Sequence, residues 1–278
     1  MAGAAEERAT LGLALQRQAE LARLQRHYAE CDTLLYAARA LFADDHPAQA
    51  YGLFVAGKAA FDQHDLAAAT VAFTQALRLW EAAGNSSRAA LCIQNLGRIA
   101  VARGEPQMAI PLYEQAIELL AAAGDLSNLA IVQMNLGIAY YECRQYDDAL
   151  ALYERAEAGF HTMNDDRYLA MVYNNLGLVY TALNAWNEAE LNLRHSIELH
   201  QRVGDNKAWI STKSNLGIAY LNQAHYIPAI QILQEALTEL QATDRDPEYE
   251  RLQQDLTMYL ALAQTRHVED AVQRTPQK

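Results

Sequence analysis

The chain has 278 residues, about half of them apolar, and a formal net charge of −12. This supplies a sizeable core for one or two domains, in a composition rich in helix formers and poor in Pro and Gly. The carboxylate excess repels phosphate backbones, which argues against a nucleic-acid partner, and no run of about eighteen apolar residues is present to span a membrane.

Residues 1–46 carry apolar stripes at helical spacing, in "LGLALQRQAELARLQ" and "LLYAARALF", and are expected to form an N-terminal helical cap or degenerate repeat. The opening "MAGAAEERATLG" lacks the apolar stretch of a signal peptide, so the expected location is cytoplasmic. Cys31, Cys92 and Cys143 fit neither a disulfide framework nor a zinc pattern, and are expected to be free thiols.

Five units of forty residues follow over 47–245, at about 49–88, 89–128, 129–168, 169–208 and 209–248. Gly57, Gly97, Gly137, Gly177 and Gly217 share one column. Twelve residues on stand Ala69, Ala109, Ala149, Ala189 and Ala229. Sixteen on stand Phe73, Tyr113, Tyr153, Leu193 and Leu233. Each unit reads as two helices joined by a short polar link such as "RGE" at Arg103, and ends at a breaker: Gly84, Gly124, Asn164 or Gly204. Gly on the first helix is expected to let the Ala face of the second come close. Pro111 falls inside a second helix, where it removes one backbone hydrogen bond and can kink the axis. Residues 246–267 are expected to form a capping helix, and 268–278 a frayed tail.

The columns, with "NLGIAY" followed by Ala149, Tyr153 and Ala156, resemble the tetratricopeptide repeat. The period is 40, where the family's usual one is 34, as in the long variety found in kinesin light chain, LGN-type scaffolds and bacterial regulators. The resemblance covers about residues 47–244. It implies an all-α fold, a right-handed superhelical solenoid of helix-turn-helix units, whose first helices line a concave groove.

Catalytic and metal-binding signatures are missing from the sequence. No HExxH, CxxC, GxSxG, P-loop or GxGxxG occurs, and carboxylates are not gathered in apolar surroundings. The expectation is a non-enzyme without cofactor or metal. His195 and His200 are expected on the surface of a second helix.

"NLG" recurs at Asn95, Asn135, Asn175 and Asn215. On a helical wheel Asn95 points away from Ile93, Leu96, Gly97 and Ala100. Its face also carries Gln94 and Arg98; the later units offer Met134, Tyr141, Asn174 and Asn222. Neighbouring first helices about 10 Å apart would bring one Asn to every third residue of an extended peptide rising about 3.3 Å per residue. In kinesin light chain and LGN-like proteins Asn at this column contacts peptide backbone, and the resemblance implies that role here. Bonding between adjacent helices is the structural alternative. The expected function is therefore a scaffold binding a peptide or protein segment, with a ligand-responsive regulatory module and a self-assembling subunit as the competing expectations.

Overall fold

The computed structural model describes residues 2–42, 46–242 and 247–274, and its regular structure is entirely helical. In chain order the described residues form α1 (Ala2–Leu24), α2 (Tyr28–Leu41), α3 (His46–Asp62), α4 (Leu66–Ala82), α5 (Ser86–Ala102), α6 (Pro106–Ala123), α7 (Leu126–Glu142), α8 (Tyr146–Met163), α9 (Asp166–Ala182), α10 (Trp186–Val203), α11 (Asn206–Asn222), α12 (Tyr226–Ala242) and α13 (Pro247–Arg274). The expected boundary at 245–246 and residues 275–278 of the expected tail lie outside the described residues. No helix among the described residues is long and apolar enough to cross a membrane.

Two compact units divide the chain, Met1–Gln145 with α1–α7 and Tyr146–Lys278 with α8–α13. Within each, consecutive helices pack side by side, and first helices also touch the first helix of the next pair: α1 with α3 and α5 with α7, then α9 with α11 and α11 with α13. This is a stack of helix pairs, as the forty-residue period predicts.

Local chemistry sets where each helix starts and turns. Asn85, Asp125, Asp165 and Asp205, forty residues apart, each accept a hydrogen bond from the backbone N–H three residues on, satisfying an orphan donor of α5, α7, α9 or α11. At the corners between helices, His64, Gly84, Gly104, Gly124, Arg144, Asn164, Asn184, Gly204 and Ala224 all adopt positive φ, one every twenty residues. Five of these nine are not glycine, so the left-handed corner is kept even where the side chain disfavours it.

Packing within a pair sharpens one expectation. The column Gly lies under the residue sixteen positions on, and at Gly177 an added Cβ would also meet the Ala189 carbonyl, at 3.4 Å. A Cβ at Gly97 would stand 2.6 Å from Tyr113 Cε1, at Gly177 2.5 Å from Leu193 Cγ, and at Gly217 2.6 Å from Leu233 Cγ. Ala69, Ala109, Ala149, Ala189 and Ala229 are fully buried. Pro111 sits on the exposed side of α6, which continues through it to Ala123.

The ends close differently. Gly12 of α1 lies against the Phe42 ring, and Glu20 bonds both Arg23 (2.9 Å) and Lys58 (2.6 Å), while Arg23 also pairs with Asp62. These ion pairs tie α1 to α3. At the other end Leu256 and Ala263 of α13 are fully buried against the cluster of Leu233, Ala236 and Leu240. This helix runs to Arg274, beyond the expected end at 267. "VEDAVQR" contains no Gly or Pro to stop it, and Pro276 is the first breaker.

Candidate functional site

The Asn column sits on the first helices, but its members are held differently. Asn95 on α5 is only 7% exposed. Its Nδ2 donates to the Leu91 carbonyl at 2.7 Å, and its Oδ1 accepts from Arg98 Nη1 at 3.0 Å. The Arg98 guanidinium in turn lies over the Phe61 ring, 4.6 Å from its centroid. The wheel placed Asn95 away from packing; it is instead enclosed, with both ends of its amide bonded within α5. Asn135 on α7 is partly buried.

In the second unit the column becomes a relay. Asn215 Nδ2 on α11 donates to Asn174 Oδ1 on α9 at 2.8 Å, and Asn174 Nδ2 faces the neighbouring Asn175 Oδ1 at 3.4 Å. Each amide offers both a donor and an acceptor. The relay uses one end of each outer member, leaving Asn175 Nδ2 and Asn215 Oδ1 without a partner among the described residues. Both side chains are partly exposed. The half-buried apolar residues Leu178 and Ile218 lie three positions further along the same helices.

Of the other expected site residues, Gln94 and Met134 are buried, Tyr141 is half-buried, and Arg98 and Asn222 are exposed. The structure brings Asn174, Asn175 and Asn215 together, and separately Asn95 with Arg98. It bonds neither Gln94 nor Asn222 to either group.

His195 is exposed as expected, but His200 is not: it is 2% exposed, with Nδ1 lacking a partner. Burial is the main influence on its imidazole and holds its pKa below the ordinary value of 6.5, against the opposing pull of Asp205. The physical reason is register. Forty-residue steps place His200 with Trp80, Leu120, Phe160 and Leu240, all buried. That column was the available signal for burial.

A feature with no sequence signal is a cavity of about 490 Å³ on the second unit, lined by residues including His161, Tyr173, His195 and Arg202. Tyr173 donates to Glu157 Oε1 at 2.8 Å, His161 Nε2 lies 3.2 Å from the same hydroxyl, and Arg202 pairs with Asp166 at 2.8 Å. Burial, then the bond to Glu157, pushes the Tyr173 phenol up to about 12. Its charges are thus largely matched internally.

The thiols of Cys31 and Cys92 are buried and pushed up to about 11 and about 12, chiefly by burial, which suppresses the reactive thiolate. Among the described residues no group of three His, Cys, Asp or Glu side chains could hold a metal ion.

Solved structures share this fold. Aspartyl phosphate phosphatase F from Bacillus subtilis matches with a TM-score of 0.65 at 14% identity, over 92% of this chain and 71% of that one. NprR in complex with its cognate peptide NprX matches at 0.66 and 14%, over 90% and 72%. A Podosopora anserina chain of kinesin light chain type, with nearly identical TPR-like repeats, matches at 0.60 and 18%, over 73% and 99%. At such identities the likeness is one of fold alone. Among curated proteins none matches the sequence significantly. The sequence profile of the tetratricopeptide repeat matches residues 57–122, 88–161 and 168–241, more than half of the chain. The chain belongs to the tetratricopeptide repeat family.

Proposed function

We propose that the protein is a non-catalytic scaffold that holds an extended peptide, or an unfolded segment of a partner protein, along its first helices. The observation that carries this reading is the amide relay on α9 and α11. It ends in a free donor at Asn175 and a free acceptor at Asn215, the two groups that a peptide bond's carbonyl and N–H require. Leu178 and Ile218 supply apolar surface beside it for partner side chains. One of the similar folds, NprR, was solved with a cognate peptide, which supports the class of ligand.

Asn95 takes a different part in this reading. Its amide is already used by Leu91 and Arg98, so it stabilises α5 and positions Arg98, and the peptide-facing stretch is centred on α9 and α11.

Selection from a displayed library of unstructured peptides tests the reading. Peptides enriched on the wild type should bind Asn175→Ala/Asn215→Ala about 5- to 150-fold more weakly, the loss of two hydrogen bonds at about 0.5–1.5 kcal/mol each. Equal binding to a folded double variant, or a library that yields no peptide, overturns it.

A further inference from the structure

We propose a second recognition site, in the first unit, that takes a carboxylate adjoining an amide N–H, as found at a peptide's C-terminus or beside an acidic residue in a peptide. It is a pocket of about 410 Å³, within the size range of small-ligand sites. α1 lends it Leu13, Gln16 and Arg17, α3 lends Tyr51, and Trp80 and Arg88 come from the end of α4 and the start of α5. None of the residues lining it is acidic.

Charge is the first argument. In a chain with 34 acidic and 22 basic residues, two arginines share one pocket. Neither Arg17 nor Arg88 has an ion-pair partner among the described residues. Arg88 rests its guanidinium on two rings, 5.8 Å from the Tyr51 centroid and 5.9 Å from that of Trp80. Such a face contact leaves its N–H groups directed outward for a planar anion. Glu20, the carboxylate whose field reaches Tyr51, is itself held by Arg23 and Lys58, so it does not neutralise the pocket. The N-terminus of the seventeen-residue helix α5 adds positive potential beside Arg88.

Gln16 is the second argument. It is 2% exposed, and its Nε2 donates to the Ala48 carbonyl at 2.6 Å. That bond fixes which way the amide points, and the end left over is Oε1, a buried acceptor with no donor. Gly52 makes the placement possible, since a Cβ there would come within 3.1 Å of Gln16 Nε2. An anion alone would meet the arginines but leave this acceptor and the rings of Tyr51 and Trp80 unused. A carboxylate with a neighbouring N–H and an apolar side chain uses all three.

This pocket shares no residue with the Asn relay, so the two readings stand or fall separately. Calorimetric titration of the whole chain tests the pocket with three acetylated peptides: Ser-Gly-Ser-Gly-Phe with a free C-terminus, the same peptide amidated, and amidated Ser-Gly-Asp-Phe-Gly. One or both carboxylate-bearing peptides should bind, and the amidated neutral one should not; which of the first two binds identifies the source of the carboxylate. Binding should weaken as salt rises from about 20 to about 200 mM, because the arginines are exposed. Arg17→Gln/Arg88→Gln, two surface changes, should lower affinity on the order of tenfold or more, both in the wild-type chain and in one that also carries Asn175→Ala/Asn215→Ala, so that peptide held at the relay does not mask the effect. Equal binding of all three peptides, no binding of any, wild-type affinity in the folded arginine variant, or displacement by inorganic phosphate at concentrations equal to the peptide overturns the proposal.

Discussion

His200 shows how one position can depart from its column. Its counterparts Trp80, Leu120, Phe160 and Leu240 are all apolar, whereas the imidazole brings a polar nitrogen without a partner into the same place. Its depressed pKa means that the folded state resists protonation while the unfolded chain does not. Stability is therefore unaffected by this group above the ordinary pKa of 6.5 and falls as pH drops below it, by up to about 1.4 kcal/mol per pH unit, levelling off once the folded state also protonates. Urea denaturation of His200→Leu between pH 7.5 and 5 should show a shallower loss than wild type. At neutral pH the variant should be more stable by about 1 kcal/mol, from removal of the unpaired polar atom. An unchanged pH slope would assign the acid sensitivity to other groups.

At the scale of helices, the forty-residue period made the pairs, links and breakers readable, because packing columns must recur wherever the same two helices meet. The Gly column was readable as small, but not the side chain sixteen positions on that covers it, which depends on how one helix is rotated against the next. Gly97→Ala tests that contact. Helix propensity favours Ala by about 1 kcal/mol, but the new methyl would stand 2.6 Å from the buried Tyr113 ring, and overpacking of this kind typically costs about 1–3 kcal/mol. A lowered urea midpoint is expected; a raised one would mean that the ring shifts freely. The relay of amides lay beyond the sequence for a related reason. The residue before the column Asn is Gln94, Met134, Asn174 or Ser214, and only Asn174 can link α9 to α11 as it does. Sequence showed the column but not which member had a partner across the next helix. Gln16 was still harder to see, since its role depends on a carbonyl 32 positions away.

Over the whole molecule, stability is a sum of helix pairs and their nearest contacts, so small changes at repeated places add up along the chain. The corners are such places. A left-handed residue stands every twenty positions from His64 to Ala224, yet glycine fills only Gly84, Gly104, Gly124 and Gly204. A left-handed residue with a side chain carries about 1–2 kcal/mol of strain, part of which glycine returns through the greater freedom of the unfolded chain. Ala224→Gly should thus raise the urea midpoint slightly, by up to about 1 kcal/mol, and the same change at Arg144 should add to it, the sites lying far apart in sequence. Loss of stability at either would mean that the side chain makes a contact worth more than the strain. The chain thus holds room for improvement at its bends that its tightly filled interior lacks: one methyl removed at Ala224 relaxes the backbone, while one methyl added at Gly97 crowds the core.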